Sequence, residues 1–338
     1  MIHPTYKLNG RIQTQDSLYA IAYSFIKEGE DWAKGIGNFI IDLLDAKEFI
    51  IAHTSGSTGT PKEIQLKKEH LFNSAQATAT FLDLPASTDA LLCLPISYIA
   101  GKMMFVRAMV LGWNLDIVKS SSTPFEKIRK RYDFTALTPM QASASLDDIH
   151  KSKIILLGGG VVPQSLVNNL QGKHTYAYHS YGMTETCSHV AMRSIYPTYQ
   201  ETFTALPEVR FEKDDRDCLI INAPQVTEHP LITNDVVELH DETSFTWLGR
   251  YDQVINTGGI KVFPEEIERV LSSVIPVPFF ITAMPHDELG EQVTLVIESN
   301  EKLPLDFSGL SSVQRPKKIV FQSQLKRSHT GKIIKRLA

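Results

Sequence analysis

From Glu48 onward, short apolar runs alternate with helical stretches, and this alternation most narrows what the chain can become. Glu48–Ala52, Ala90–Leu94, Leu115–Val118, Phe134–Leu137 and Lys153–Leu157 read as strands. Between and after them, Lys67–Leu82, Gly101–Leu111, Pro124–Arg131 and Pro163–Leu170 read as helices. Strands separated by helices predict an α/β protein with a largely parallel sheet covered by helices. Ahead of this pattern, Asp16–Lys27 and Asp31–Leu44 carry apolar residues at helical spacing and predict two amphipathic helices. Beyond Thr202 the texture changes. Val209–Glu212, Cys218–Asn222, Val236–His240 and Ser244–Trp247 read as hairpin strands. After Arg250 comes a smaller α+β segment with one clear helix, Pro264–Ser273, opened by a proline where the missing N–H costs nothing. A boundary is expected near Gly249–Asp252, giving a large domain over 1–250 and a small one over 251–338.

The size, 338 residues, suits roughly two domains. With 34 Lys and Arg against 38 Asp and Glu, the chain has no global field to attract nucleic acid, so none is expected as a partner. Cys93, Cys187 and Cys218 are too few and too widely spaced for a disulfide scaffold or a zinc ribbon. Reduced cysteines in a cytoplasmic protein are the expectation. The N-terminus lacks the basic and apolar regions of a secretory signal. The most apolar window, Val274–Met284, is too short to span a bilayer. The oligomeric state stays open, with a homo-oligomer among the alternatives.

The strongest local signal is His53-Thr54-Ser55-Gly56-Ser57-Thr58-Gly59-Thr60-Pro61-Lys62. Glycines allow a ligand close to the backbone. Hydroxyls and backbone N–H groups offer donors to phosphate oxygens, and Lys62 adds a mobile charge. It is not a Walker A loop, which requires four residues between its glycines and a lysine directly after the second. The plain alternative is a small-residue turn between a strand and a helix.

Thr54–Lys62 resembles the phosphate loop of the acyl-adenylate-forming enzymes, which include acyl-CoA ligases, peptide-synthetase adenylation domains and luciferases. Three further segments follow in that family's order. Ser180-Tyr181-Gly182-Met183-Thr184-Glu185 resembles its YGxTE segment. There the resemblance implies that Tyr181 stacks on adenine, Thr184 reaches the α-phosphate and Glu185 binds Mg²⁺, a hard cation suited to carboxylate and phosphate oxygens. Thr233-Asn234-Asp235, Gly249-Arg250-Tyr251-Asp252 and Gly258-Gly259 through Glu268 resemble the ribose-binding Asp, the hinge and the following glycine-rich segments. By resemblance Asp235 accepts the ribose hydroxyls, Arg250 reaches ribose or phosphate, Asp252 is the hinge, and Gly258 and Gly259 border the pantetheine tunnel. Asn234 stands where glycine is commoner. Glu265, Glu266 and Glu268 read as charges favouring a helix N-terminus.

Ser328-His329-Thr330-Gly331-Lys332 resembles the family's C-terminal lysine segment, and makes Lys332 the expected catalytic lysine. The last 24 residues hold eight Lys or Arg and no acid, but apolar residues interleave with them, so the segment is expected to pack. Gly158, Gly159 and Gly160 follow a strand at the end where parallel sheets bind ligands. By resemblance they line the adenine pocket; a tight turn is the alternative. The family carries a longer region before the phosphate loop, so a shortened first subdomain is expected here.

Leu94-Pro95-Ile96-Ser97-Tyr98-Ile99-Ala100-Gly101 resembles the family's P-x-x-H-x-x-G segment, with Tyr98 replacing histidine. The next helix is apolar except for Lys102 and Arg107. A cation among Met, Phe and Val is costly unless it is paired or reaches solvent. This run is most similar to o-succinylbenzoate–CoA ligases of menaquinone biosynthesis, in which an arginine on this helix faces the second carboxylate of the acid. The alternative is a surface arginine. The resemblance implies a ligase that uses ATP and Mg²⁺ to adenylate a carboxylic acid and then passes the acyl group to CoA. Another acyl- or aryl-CoA ligase and a non-catalytic nucleotide-binding module are the alternatives.

Overall fold

The computed structural model describes residues 2–53, 62–327 and 333–335. These divide into two compact units. The first takes residues up to 162 together with 166–210 and 222–231; the second takes 163–165, 211–221 and the chain from 232 onward.

The first unit contains β1 (Lys7–Leu8), β2 (Arg11–Ile12), α1 (Gln15–Glu28), α2 (Asp31–Leu44), β3 (Phe49–His53), β4 (Glu63–Lys67), α3 (Lys68–Leu82), β5 (Asp89–Leu92) and α4 (Ile99–Leu111). It continues with β6 (Asn114–Ile117), β7 (Tyr132–Leu137), α5 (Pro139–Ala144), β8 (Ser152–Leu157), α6 (Gln164–Leu170), β9 (Tyr176–Gly182), β10 (His189–Tyr196) and β11 (Thr202–Ala205). Its sheet runs in the order β11-β10-β9-β8-β7-β5-β6-β1-β2. The strands from β1 to β9 in that order pair parallel, as the alternating pattern predicts; β10, β11 and β2 add antiparallel edges. α4 buries residues on all sides, which is why its sequence shows no polar face. Gly101 lets the start of α4 close on the preceding turn, since a Cβ there would stand 2.3 Å from the Pro95 carbonyl oxygen. The cysteines are buried and unpaired.

Two expectations need correction. Pro124–Arg131 is a turn, not a helix, with Glu126 N–H donating to Thr123 O and Ile128 N–H to Phe125 O. Only Phe125 and Ile128 could form an apolar face; Glu126, Lys127 and the following Arg129, Lys130 and Arg131 offer no stripe to bury. Second, the segment after the phosphate loop does not enter a helix directly. It first forms β4, antiparallel to β3, with His53 opposite Glu63. The alternation in Glu63-Ile64-Gln65-Leu66-Lys67 has the period of a strand.

The second unit contains β12 (Arg210–Lys213), β13 (Cys218–Asn222), β14 (Leu231–Asp241) and β15 (Ser244–Arg250), neighbours in that order. After them come β16 (Ile255–Thr257), β17 (Ile260–Val262), α7 (Pro264–Leu271), β18 (Phe279–His286), β19 (Gly290–Glu298) and β20 (Lys318–Gln322). Their sheet runs β17-β16-β19-β18, with β20 parallel to β19. Ile267 and Leu271 of α7 join Ile281, Val293, Leu295 and Ile297 in one core. Gly258 and Gly259 form the two-residue turn between β16 and β17, at φ +58° and +80°. Such a hairpin turn needs positive φ at both central positions, which glycine supplies without strain.

Candidate active site

Within the first unit, the nucleotide-site candidates converge at the carboxyl ends of β8 and β9. The two strands are parallel, with Leu157 opposite His179. Gly158 N–H donates to Leu137 O at 3.0 Å, tying the glycine turn to β7. A Cβ on Gly158 would meet Ser180 Oγ at 2.9 Å, so the absent side chain is what lets Ser180 lie against the turn. Ser180 Oγ donates to Leu157 O at 3.0 Å. Gly159 has φ +78°, the left-handed region that disfavours any other residue. Gly160 O accepts from His179 Nε2 at 3.1 Å. Gly158, Gly159, Gly160 and Ser180 are therefore one structural feature.

His179 holds that feature in place, and the sequence reading gave it no role. Arg193 Nε donates to His179 Nδ1 at 3.3 Å, while Nε2 faces the Gly160 carbonyl. An imidazole that accepts at Nδ1 and donates at Nε2 is neutral. Burial, helped by the nearby Arg193 charge, lowers its pKa to about 3. Arg193 in turn lies 4.8 Å over the Phe203 ring. Tyr181 is half-buried, its ring centroid 5.7 Å from that of Phe203.

Gly182, Met183, Thr184 and Glu185 continue from β9 into a single 3₁₀ turn, Thr184–Thr186. Thr186 Oγ accepts from Met183 N–H at 3.0 Å and donates to Ser188 O at 2.6 Å, which folds the turn back on itself. Gly182 is required by close approach: a Cβ would stand 2.2 Å from Ser188 O. β4, the strand leaving the phosphate loop, lies alongside this turn with Cα atoms within 8 Å. The arrangement brings the Lys62 end of the loop to the side of the protein that carries Glu185. Lys62 itself is exposed. Thr54, Ser55, Gly56, Ser57, Thr58 and Gly59 lie outside the described residues.

Arg107 is not on the surface. It is 2% exposed, in the middle of α4. Nε donates to Thr78 Oγ1 at 3.2 Å and Nη2 to Ser188 Oγ at 2.7 Å. His189 completes the group, with Nε2 3.1 Å from Thr78 Oγ1 and Nδ1 3.0 Å from Ser188 Oγ. Burial and the adjacent Arg107 hold His189 well below the usual histidine range, so it is neutral. Burial lowers the Arg107 guanidinium from its ordinary value to about 9, which leaves it charged at pH 7. Among the described residues no carboxylate forms an ion pair with it. Lys102 solves the same problem differently, through the Phe39 ring at 4.4 Å and the field of Asp42. Tyr98 caps α4 at the half-buried edge of this region.

In the second unit, Asp235 on β14 stands directly opposite Arg250 on β15. Asp235 is 8% exposed, and its Oδ1 accepts from Trp247 Nε1 at 3.1 Å and lies 3.9 Å from Arg250 Nη1. Arg250 also bonds Asp252, Nε to Oδ1 at 3.1 Å and Nη2 to Oδ2 at 3.4 Å. The three residues singled out in the sequence thus form a continuous chain of polar contacts. Lys332 lies outside the described residues. Its flanks are described: Arg327 bridges to Ile333, Arg327 Nη1 donates to Glu298 Oε2 at 2.8 Å, and Lys335 Nζ donates to Glu268 Oε2 at 2.7 Å. Glu268 also accepts from Ile281 N–H. It is more than a solvated helix charge.

Comparison with known proteins identifies the family and the fold. The family model described as AMP-binding enzyme matches residues 41–213. A 2-succinylbenzoate–CoA ligase of Lactococcus lactis is 24% identical over 87% of this chain and 71% of its own length. The Bacillus subtilis enzyme of that name is 26% identical over 79% and 66%. A crystal structure of an acyl-CoA synthetase (AMP-forming)/AMP-acid ligase II-like protein from Dyadobacter fermentans is 33% identical, covering 94% of this chain and 96% of that one, with a TM-score of 0.64. The Bacillus subtilis O-succinylbenzoate coenzyme A synthetase, solved with ATP and magnesium ion, shares the fold with a TM-score of 0.73 at 22% identity, over 84% and 68%. The match spans the phosphate loop, the glycine turn and the Thr184–Glu185 turn, and it covers more than half of the sequence: the chain belongs to the AMP-binding enzyme family, with the α/β fold of the acyl-adenylate-forming enzymes.

Proposed function

We propose that the protein is an ATP-dependent carboxylate–CoA ligase whose acid is 2-succinylbenzoate. The observation that carries the choice of acid is Arg107: a buried, charged guanidinium in an apolar helix, held by Thr78 and Ser188, with no carboxylate beside it among the described residues. A buried cation without an anion is costly, and a substrate bearing a second carboxylate supplies one. The relatives named 2-succinylbenzoate–CoA ligase support the same acid.

In the first step a carboxylate oxygen of the acid attacks the α-phosphorus of ATP. The new oxygen–phosphorus bond forms as the bond to the bridging oxygen breaks, and pyrophosphate leaves. The work is positioning and charge stabilisation. Thr54–Gly59 and Lys62 would hold the outer phosphates, with Thr184 at the α-phosphate. Gly158–Gly160 and Tyr181 would hold adenine, and Asp235 with Arg250 the ribose. Lys332 would bridge the reacting carboxylate and the α-phosphate. Mg²⁺ typically takes one or two carboxylates together with substrate phosphates. Glu185 is the carboxylate proposed here, and the ion's chemistry is to neutralise phosphate charge. In the second step the small domain, with Asp252 as hinge, would turn so that CoA reaches the acyl-adenylate past Gly258 and Gly259. The thiolate attacks the acyl carbonyl, and AMP leaves.

Acid-dependent ATP–pyrophosphate exchange tests this reading. Exchange with 2-succinylbenzoate and not with simple benzoates is the expected result. Exchange with monocarboxylic acids alone would assign another acyl- or aryl-CoA ligase. Binding of ATP without exchange on any acid would leave a nucleotide-binding module.

A further inference from the structure

The departure at Asn234, where this family more often has glycine, has a partner in the structure. Arg216, in the turn between β12 and β13, donates from Nη1 to Asn234 Oδ1 at 3.0 Å. Its Nη2 donates to the Thr233 carbonyl at 3.2 Å. Its Nε donates to Asp214 Oδ2 at 2.9 Å, and Nη2 also lies 2.7 Å from that oxygen. Asp214 is fixed by the N–H groups of Arg216 and Cys218. The guanidinium lies 5.1 Å over the ring of Tyr251, the residue between Arg250 and Asp252. One planar cation therefore meets both residues that precede Asp235 and the middle residue of the Arg250–Asp252 turn. The rigid fork and flat face of arginine permit this combination; a lysine has neither.

We infer that Arg216 is a positioning residue for the nucleotide site: it ties the strand carrying Asp235 to the Arg250–Asp252 turn, with Asn234 as its dedicated acceptor. Thr233 adds a second hold on the same strand, its Oγ1 accepting from the Asp235 N–H at 3.0 Å. Asp235 and Arg250 are thereby set opposite one another before nucleotide arrives. A glycine at position 234 would offer the strap no side-chain acceptor. The inference rests on the reading of Asp235 as the ribose carboxylate.

The test is MgATP affinity of the full chain, measured by titration calorimetry. Arg216→Ala and Asn234→Gly should each weaken binding about five- to tenfold, the size expected for one lost hydrogen bond of ordinary strength. The double variant should bind within about twofold of the weaker single variant, because both substitutions remove one interaction. Arg216→Lys should not restore affinity. Asp235→Ala is the reference. If it weakens binding while the Arg216 and Asn234 variants bind like the parent, the strap is wrong and the ribose reading stands. If Asp235→Ala leaves affinity unchanged, the ribose reading fails, and the strap with it. Should Arg216→Ala not fold, Asn234→Gly at an exposed side chain carries the test alone, and an unchanged affinity there overturns the proposal.

Discussion

Gly249 and Glu265 compete for one small volume: a Cβ on Gly249 would stand 2.5 Å from Glu265 Oε2. The missing side chain lets a helix carboxyl press against the backbone just before Arg250. Glu265 is 7% exposed, and its Oε2 has no hydrogen-bond partner among the described residues. The nearby backbone N–H groups of Glu265 and Arg250 and the Lys335 charge favour its ionised form, and Glu268 opposes it. Burial outweighs these and raises its pKa to about 7.

That shift predicts a pH dependence of stability. The unfolded carboxyl loses its proton near 4.5, the folded one near 7. Between those values the unfolded state binds fewer protons, so stability falls as pH rises. Glu265→Gln, which stays neutral, should be more stable than the parent at pH 8 by up to about 3 kcal/mol and about equal at pH 4. Urea unfolding at the two values measures it. An equal difference at both would mean that folding leaves the Glu265 carboxyl's pKa unshifted.

Arg107→Ala should raise KM for 2-succinylbenzoate by about ten- to a hundredfold, the loss of a contact worth roughly 1.5–3 kcal/mol. It should leave KM for ATP near the parent value. Steady-state adenylation with each substrate varied in turn separates the two. A uniform fall in kcat at constant KM would place Arg107 in the scaffold, holding Thr78 and Ser188.

Much of the fold was legible because period and polarity coincide in the core: α2, α3 and the strands β5 to β8 lie where apolar spacing put them. The misread stretches are those where one local signal competed with another. Pro124–Arg131 reads as a helix, but its four basic residues leave it no apolar face to bury. β4 was hidden behind a run of loop residues, although its alternation was present. At the candidate site, chemistry-bearing types in tight motifs stood out in the sequence: Ser180–Glu185, Asp235 and Arg250. His179, Arg193 and Arg216 were not, since each acts on a residue distant in sequence, and a lone histidine or arginine carries no spacing to mark it. The burial of Arg107 was half visible, as a cation in an apolar helix.

His179 should stay neutral over the working range. With its pKa lowered to about 3, its ring protons should show no titration between pH 5 and 9 in NMR spectra of the protein. A midpoint near 6.5 would mean that the Arg193–His179–Gly160 chain is open in solution.

Gly159→Ala should cost about 1 kcal/mol of stability, because alanine at φ +78° is strained even though nothing crowds the position. If Gly159 also borders adenine, the substitution should weaken ATP binding beyond that. Thermal unfolding with and without ATP reads both effects. A variant that keeps the parent's ATP-induced shift in Tm would leave the glycine with a turn role alone.

Lys332→Ala should abolish formation of the acyl-adenylate and spare thioester formation from supplied acyl-AMP, because its proposed bridge between the carboxylate and the α-phosphate serves the first step alone. Its flanks are held by two carboxylates: Glu298 takes Arg327 through both terminal nitrogens, at 2.8 and 3.2 Å, and Glu268 takes Lys335. Freeing one flank should therefore produce a milder form of the same defect. Lys335→Met should slow adenylation several-fold, since a half-buried pair near the surface contributes on the order of 1 kcal/mol, and leave thioester formation unchanged. Single-turnover assays of the two half-reactions distinguish the outcomes. Equal loss of both in Lys332→Ala would contradict a role confined to the first step and assign the flanking pairs to stability.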